Sequence, residues 1–149
     1  MDFHCRQVME DDADFCQLAG ELNQVLTKLT GDSGASSFTH AARTSQEAVQ
    51  LVVYLGNKPV ACGALRSHSS SVGELKRIYS KISGGGSFVL KQLLAIANEL
   101  GFHQVILSTR LVNQTAVDFY LAKGFRPIAP FGKYRVSTLS ICLGKTLSH

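Results

Sequence analysis

The chain has 149 residues, 45% hydrophobic and 17% charged, which suits one domain over residues 1–149 and excludes a charge-dominated disordered tail. Its longest apolar runs, residues 50–55 and 104–107, are strand-length, and no basic stretch leads into an apolar one at the N-terminus, so the expectation is a cytoplasmic protein with no membrane partner. Residues 1–70 hold eight acids and five bases (net −3) and residues 71–149 three acids and ten bases (net +7), so an anionic partner belongs to the C-terminal half.

Residues 3–8 read as a short strand. Asp11 or Asp12 can cap the helix that follows, whose apolar positions Phe15, Leu18, Ala19, Leu22, Val25 and Leu26 recur at three and four residues. Residues 30–37 are rich in Gly and Ser and read as a loop, and residues 40–48 as a short second helix. Residues 50–55 and 60–66 form a hairpin around the Gly56-Asn57-Lys58 turn, and residues 73–81 add a third antiparallel strand.

The pattern then changes. Residues 82–86 are a glycine-rich loop that opens a helix through Val89, Leu90, Leu93, Leu94, Ala97 and Leu100, stopped by Gly101. Residues 105–109 form a strand that no tight turn could reach, so strand, loop, helix and strand make a right-handed parallel crossover. A further helix runs over residues 113–123 to Gly124, and strands over 125–128 and 136–143 close the sheet. Cys5, Cys16, Cys62 and Cys142 form no C-x-x-C pair and stand near no histidine at ligand spacing, so they read as reduced, mostly buried thiols and no metal site is expected.

A glycine loop at a helix start can receive a phosphate, because first-turn N–H groups are unpaired and no Cβ blocks the approach. Gly84-Gly85-Gly86-Ser87 stands there, without the lysine of a P-loop or the spacing of a dinucleotide fingerprint. By itself the loop reads equally well as a flexible turn.

Taken with its neighbours it reads further. The paired strands around Leu51–Leu55 and Pro59–Arg66, the run Gly73-Glu74-Leu75-Lys76-Arg77-Ile78-Tyr79, the glycine loop with Leu93-Leu94, and Asn113-x-x-Ala116-x-x-Phe119-Tyr120-x-x-Lys123-Gly124-Phe125 follow in order. This combination resembles the GNAT superfamily of N-acyltransferases from about residue 50 to residue 147. The ending Ile128-x-x-Phe131-Gly132-x-Tyr134 is similar to a bacterial branch whose substrates are often unassigned. The resemblance implies an α/β fold: a mixed, mostly antiparallel central sheet with one splayed parallel pair and helices on both faces.

It also implies a cosubstrate, acetyl-CoA, and acetyl transfer by direct attack of an amine on the thioester, without a metal. Pantetheine would lie against the backbone of Ile78, Tyr79 and Ser80 as a short added strand. Counted back from Leu93-Leu94, the family's pyrophosphate loop would fall on Gly85, Gly86, Ser87, Phe88, Val89 and Leu90, with Gly84 just before it, and the sequence departs from it there. Gly85 replaces a customary Arg or Gln, and bulky Phe88 and Leu90 take small positions. Either the Gly84–Ser87 N–H groups form a compensating nest, with Lys81 or Lys91 adding charge, or CoA is held weakly or not at all.

Asn113 would cap its helix and bond the cofactor arm, with Ala116 small enough to let the arm pass. Tyr120 would protonate the departing thiolate; its structural alternative is a core aromatic beside Phe119. Glu74 is the only acid between Glu47 and Glu99, and is the candidate base or an ion-pair partner of Lys76 or Arg77. His40 and His68 are weaker base candidates. The acceptor would be a small-molecule or peptide amine, read by the N-terminal helices, residues 30–44 and residues 131–135; the acidic N-terminal half suggests a cationic one. A sheet-edge homodimer is the default assembly. Two other readings stand: a non-catalytic acyl-CoA-binding or regulatory domain, suggested by the altered loop, and a nucleic-acid-binding module, suggested by the +7 charge but lacking any recognition-helix or aromatic-basic pattern.

Overall fold

The computed structural model describes residues 2–30, 49–136 and 138–147. The expected helix over residues 40–48, with His40, and the loop beyond residue 30 lie outside these. The described elements are β1 (Phe3–Val8), α1 (Ala13–Thr30), β2 (Val49–Leu55), β3 (Lys58–Ser67), β4 (Val72–Ser80), α2 (Gly85–Glu99), β5 (Gln104–Arg110), α3 (Gln114–Ala122), β6 (Arg126–Pro127), a 3₁₀ turn (Gly132–Val136) and β7 (Ser140–Thr146).

The seven strands form one sheet in the order β1-β2-β3-β4-β5-β7-β6. Every neighbouring pair is antiparallel except β4 and β5, which are parallel. This bears out the mixed sheet with its one crossover. Strand alternation sends side chains to two faces. Under α2 lie Leu51, Val53, Leu65, Leu75, Val105 and Leu107, packed with Val89, Leu90, Leu93 and Ala97 of the helix and with Tyr120 and Phe125. Under α1 lie Val52, Tyr54, Cys62 and Ala64, packed with Phe15 and Leu18. Helices therefore cover both faces.

Local chemistry sets the helix ends. Asp12 accepts a hydrogen bond at 3.1 Å from the Phe15 N–H, capping α1. Asn113 does the same for the Ala116 N–H at 3.3 Å, capping α3. The Tyr54 hydroxyl donates to the Asp14 carboxylate at 2.6 Å and so pins α1 to the sheet.

Two sequence expectations need correction. The last strand begins at Ser140, not at residue 136. Residues 132–136 form the 3₁₀ turn instead, opened by a Tyr134 N–H to Phe131 carbonyl bond at 3.0 Å with Gly132 at φ 53°. The strand expected over residues 125–128 shrinks to Arg126–Pro127 at the sheet edge, where Phe125 serves the core instead. Cysteine burial is also uneven: Cys62 and Cys142 are buried and Cys5 half-buried, but Cys16 is exposed; all four are free thiols.

Candidate functional site

The parallel pair is short. β4 and β5 pair only at Val72 with Gln104, Gly73 with Val105 and Glu74 with Ile106. β4 then continues to Ser80 and β5 to Arg110 without further pairing between them. The physical cause sits on β4. Opposite β3 its register shifts between Cys62 and Ala64, so that Arg77 and Ile78 face Gly63, and Arg77 takes φ 57°. A bulge adds one residue, bends the strand and increases its twist. β4 is thereby swung from β5, and from Leu75 onward its β5-facing edge has no strand partner. That edge includes Ile78, Tyr79 and Ser80.

The side chains of these residues are engaged away from the opening. The Arg77 guanidinium donates to the Asn23 side-chain oxygen of α1. The Tyr79 hydroxyl donates to Glu21 at 3.2 Å, and burial, then the Glu21 carboxylate, pushes its pKa up. The Ser80 hydroxyl donates to the Ile82 carbonyl at 2.6 Å and accepts from the Ile82 N–H at 3.3 Å, which turns the chain toward α2. What Tyr79 and Ser80 present to the opening is backbone.

Gly84 precedes α2 at φ 88°, a left-handed conformation suited to glycine, and caps it with no side chain. A Cβ on Gly85 would stand 2.2 Å from the Ser80 hydroxyl oxygen and 3.2 Å from the Ala61 Cβ. Glycine there lets the helix start touch the end of β4. The Gly85 N–H bonds the Ile82 carbonyl at 3.4 Å and the Phe88 N–H bonds the Gly84 carbonyl at 3.1 Å, while those of Gly86 and Ser87 have no partner among the described residues. Two unpaired N–H groups thus crown a fifteen-residue helix beside the opening.

The bulky residues that make the loop unusual have apolar neighbours. Leu90 is buried in the core under α2, and the Phe88 ring packs 5.5 Å from that of Phe3. Lys81 reaches Glu21 at 3.4 Å on the α1 side, and Lys91 is exposed on α2.

α3 closes this end of the opening. A Cβ on Gly86 would lie 3.7 Å from the Phe119 ring, so that ring borders the start of α2. Tyr120, next along, is 8% exposed, its ring edge-on to Phe119 at 5.1 Å and to Phe125 at 5.5 Å. Its ring belongs to the core, as one sequence reading had it. Its hydroxyl has no hydrogen-bond partner among the described residues, and burial pushes its pKa up. This phenol holds its proton and has no neighbour to give it to. Ala116, one turn earlier, packs half-buried against the same core.

Glu74 is fully enclosed at 1% exposure. Arg66 donates to one carboxylate oxygen through Nε at 3.0 Å and a terminal nitrogen at 2.8 Å, and Lys76 approaches the other at 3.3 Å. Lys76 was an anticipated partner, Arg77 is not one, and Arg66 had not been anticipated. Both oxygens are committed to cations, which is the ion-pair alternative for this residue. His68 is exposed, edge-on to the Phe131 ring at 5.3 Å. Among the described residues no cluster of three or more His, Cys, Asp or Glu could hold a metal ion, and no helix is long and apolar enough to cross a membrane.

The fold recurs among solved structures. A protein described as an acyl-CoA N-acyltransferase of Klebsiella pneumoniae matches at TM-score 0.77 and 21% identity, over 98% of each chain. The PaiA N-acetyltransferase of Thermoplasma acidophilum, solved in complex with coenzyme A, matches at TM-score 0.76 and 14% identity, over 99% of this chain and all of that one. The fold is that of the acyl-CoA N-acyltransferases. The resemblance read from residues 50–147 is borne out at that level. Among curated proteins, the IAA acetyltransferase of Azospirillum brasilense is 28% identical over 102 residues, spanning 65% of this chain and 67% of that protein. No protein-family model matches the chain.

Within this acyl-CoA N-acyltransferase fold the site draws on residues that sequence reasoning missed. Arg66 left no signal, because it reaches Glu74 only through the β3–β4 register that pairs the two. Ser108 of β5 has its hydroxyl buried without a partner among the described residues, and the sequence had offered it only as a strand residue.

Proposed function

We propose that the protein is a GNAT-superfamily N-acetyltransferase that transfers an acetyl group from acetyl-CoA to an amine. The observation that carries this reading is the one-sided opening between β4 and β5, bordered by the start of α2. The solved neighbour with coenzyme A bound and the curated acetyltransferase relative support it.

The residues present fit the cosubstrate. The β5-facing backbone of Ile78, Tyr79 and Ser80 would hold the pantetheine amides, as an added strand would be held. The N–H groups of Gly86 and Ser87, with the helix start behind them, would hold the pyrophosphate without the customary cation. Acetyl-CoA supplies an acetyl group activated as a thioester. The amine nitrogen forms the new C–N bond as the C–S bond breaks. Tyr120 gives its proton to the departing sulfur, a role that suits an unpartnered phenol kept protonated by burial. Glu74, held by two cations, is assigned to the electrostatic frame of β4, and water entering the opening takes the amine proton. Asn113 and Ala116 shape the end of α3 where the cofactor arm would pass.

A second reading, an acyl-CoA-binding domain without catalysis, is favoured by Gly85 in place of a basic or amide side chain. Acetyl-CoA titration followed by thiol release with an amine panel separates the two. Binding with amine-dependent release, and a fall in kcat of about 100-fold in Tyr120→Phe, supports transfer. Binding without release from any amine supports the second reading.

A further inference from the structure

The face of the opening under α1 carries a polar group that acetyl transfer, as drawn above, does not use. Side chains of directly paired residues share a face. Ala64 packs under α1, so its partner Lys76 lies on that face, as do Arg66 and its partner Glu74. Glu74 is also the last residue of β4 to pair with β5, opposite Ile106. Two residues further along each strand stand Lys76 and Ser108, the first positions on this face beyond the point of divergence. They occupy opposite lips of the opening.

One lip carries surplus positive charge and the other an unsatisfied hydroxyl. Arg66 and Lys76 bring two positive charges to the single negative charge of Glu74, leaving a surplus of one. The Lys76 ammonium also donates to the Tyr134 hydroxyl at 3.2 Å, and the Tyr134 ring lies 5.6 Å from it, so the segment after β6 folds over this lip. The Ser108 hydroxyl across from it is buried and unpartnered. Buried polar groups are nearly always hydrogen-bonded, and this hydroxyl, across the opening from the Lys76 lip, has no acceptor among the described residues.

We propose that Lys76 and Ser108 form an anion subsite for the acceptor, and that the acceptor is an amine carrying a carboxylate. The inference rests on the acetyltransferase reading and names its substrate class. One ammonium with one hydroxyl donor matches a singly charged carboxylate. The carboxylate would sit across the lips and aim the amine into the opening. The cationic amine suggested by the acidic N-terminal half becomes a zwitterionic one.

Two measurements test this on the full chain. In the first, N-acetylated amino acids and their C-terminal amides, as product mimics, are titrated and binding is read by calorimetry. The acids should bind about 10-fold more tightly, the ratio expected for a hydrogen bond to a charged group. Ser108→Ala removes only an unpartnered hydroxyl, so it should fold normally while losing that preference, and Lys76→Met should lose it more completely. Equal binding of acids and amides to the wild-type protein overturns the subsite. In the second, free amino acids and their amides are compared in the thiol-release assay. Higher kcat/KM for the acids, carried by KM and abolished in Ser108→Ala, supports the proposal; faster turnover of the amides refutes it and leaves acetyl transfer standing. If no amine is turned over, transfer fails, and the binding preference alone decides the subsite.

Discussion

Glu74 shows how a residue's role depends on what surrounds it. Its sequence position suited a base, yet a general base must reach the proton it takes, and the Glu74 carboxylate is enclosed at 1% exposure between Arg66 and Lys76. Glu74→Gln should therefore behave as a stability variant. Removing one partner of a buried ion pair costs about 3–5 kcal/mol when the other stays sealed. Arg66, at 26% side-chain exposure, can recover some solvent, so about 2–3 kcal/mol is expected by denaturant titration. The pH–rate profile should keep its shape; loss of its acidic limb in Glu74→Gln would restore the base. Tyr120 is the contrasting case. Its hydroxyl bonds nothing among the described residues, so Tyr120→Phe should leave Tm within about a degree while kcat falls. A matching drop in Tm would mean the phenol serves the fold instead.

At the scale of elements, strands and helices were legible where one rule dominated. The 3.6-residue spacing of Val89, Leu93 and Ala97 marked α2, and Asp12 and Asn113 marked the helix starts. The splay between β4 and β5 was legible only through resemblance. Its cause is a bulge at Arg77, and an arginine at φ 57° leaves no local signal where a glycine would have. The 3₁₀ turn over Gly132–Val136 was not read from the sequence either, and its Tyr134 meets Lys76 across 58 residues, a contact no local pattern announces. The junction of β4 and α2 was legible as a glycine run, though the reason for Gly85 was not. Gly85→Ala tests that junction. Its Cβ would strike the Ser80 oxygen, and rotating that oxygen aside forfeits both bonds to Ile82 while the Ala61 contact stays tight. Overpacking of this kind costs about 1–3 kcal/mol. Because the relief must come from shifting the start of α2, the Kd for acetyl-CoA should rise together with the stability loss. Unchanged affinity would detach the pyrophosphate from this helix start.

For the molecule as a whole, the thiols of Cys5 and Cys62 and the phenols of Tyr54, Tyr79 and Tyr120 lean one way. Burial, reinforced by the Asp14 carboxylate, pushes Tyr54 up to about 12, and burial pushes the Cys62 thiol up to about 12. Burial also raises Cys5, Tyr79 and Tyr120. In the unfolded chain such thiols ionise near 8.5 and phenols near 10. Each group then holds its proton more tightly when folded, so its contribution is complete below the unfolded pKa. It is lost as pH rises toward the folded value, because only the unfolded chain gains by ionising. No one residue sets this slope; two sheet faces packed under α1 and α2 do. Thermal unfolding should accordingly show a plateau near neutrality and a Tm that falls progressively above about pH 8.5. Cys62→Ala should flatten the first part of the fall and Tyr54→Phe the part beyond about pH 10, each after its own fixed offset at neutral pH. The Tyr54→Phe offset includes loss of the bond to Asp14, which ties α1 to the sheet on the face carrying Lys76 and Glu74. If Tm were level to pH 11 in the wild-type protein, these groups would have to be open to solvent, and the sheet faces that bury them would be misplaced.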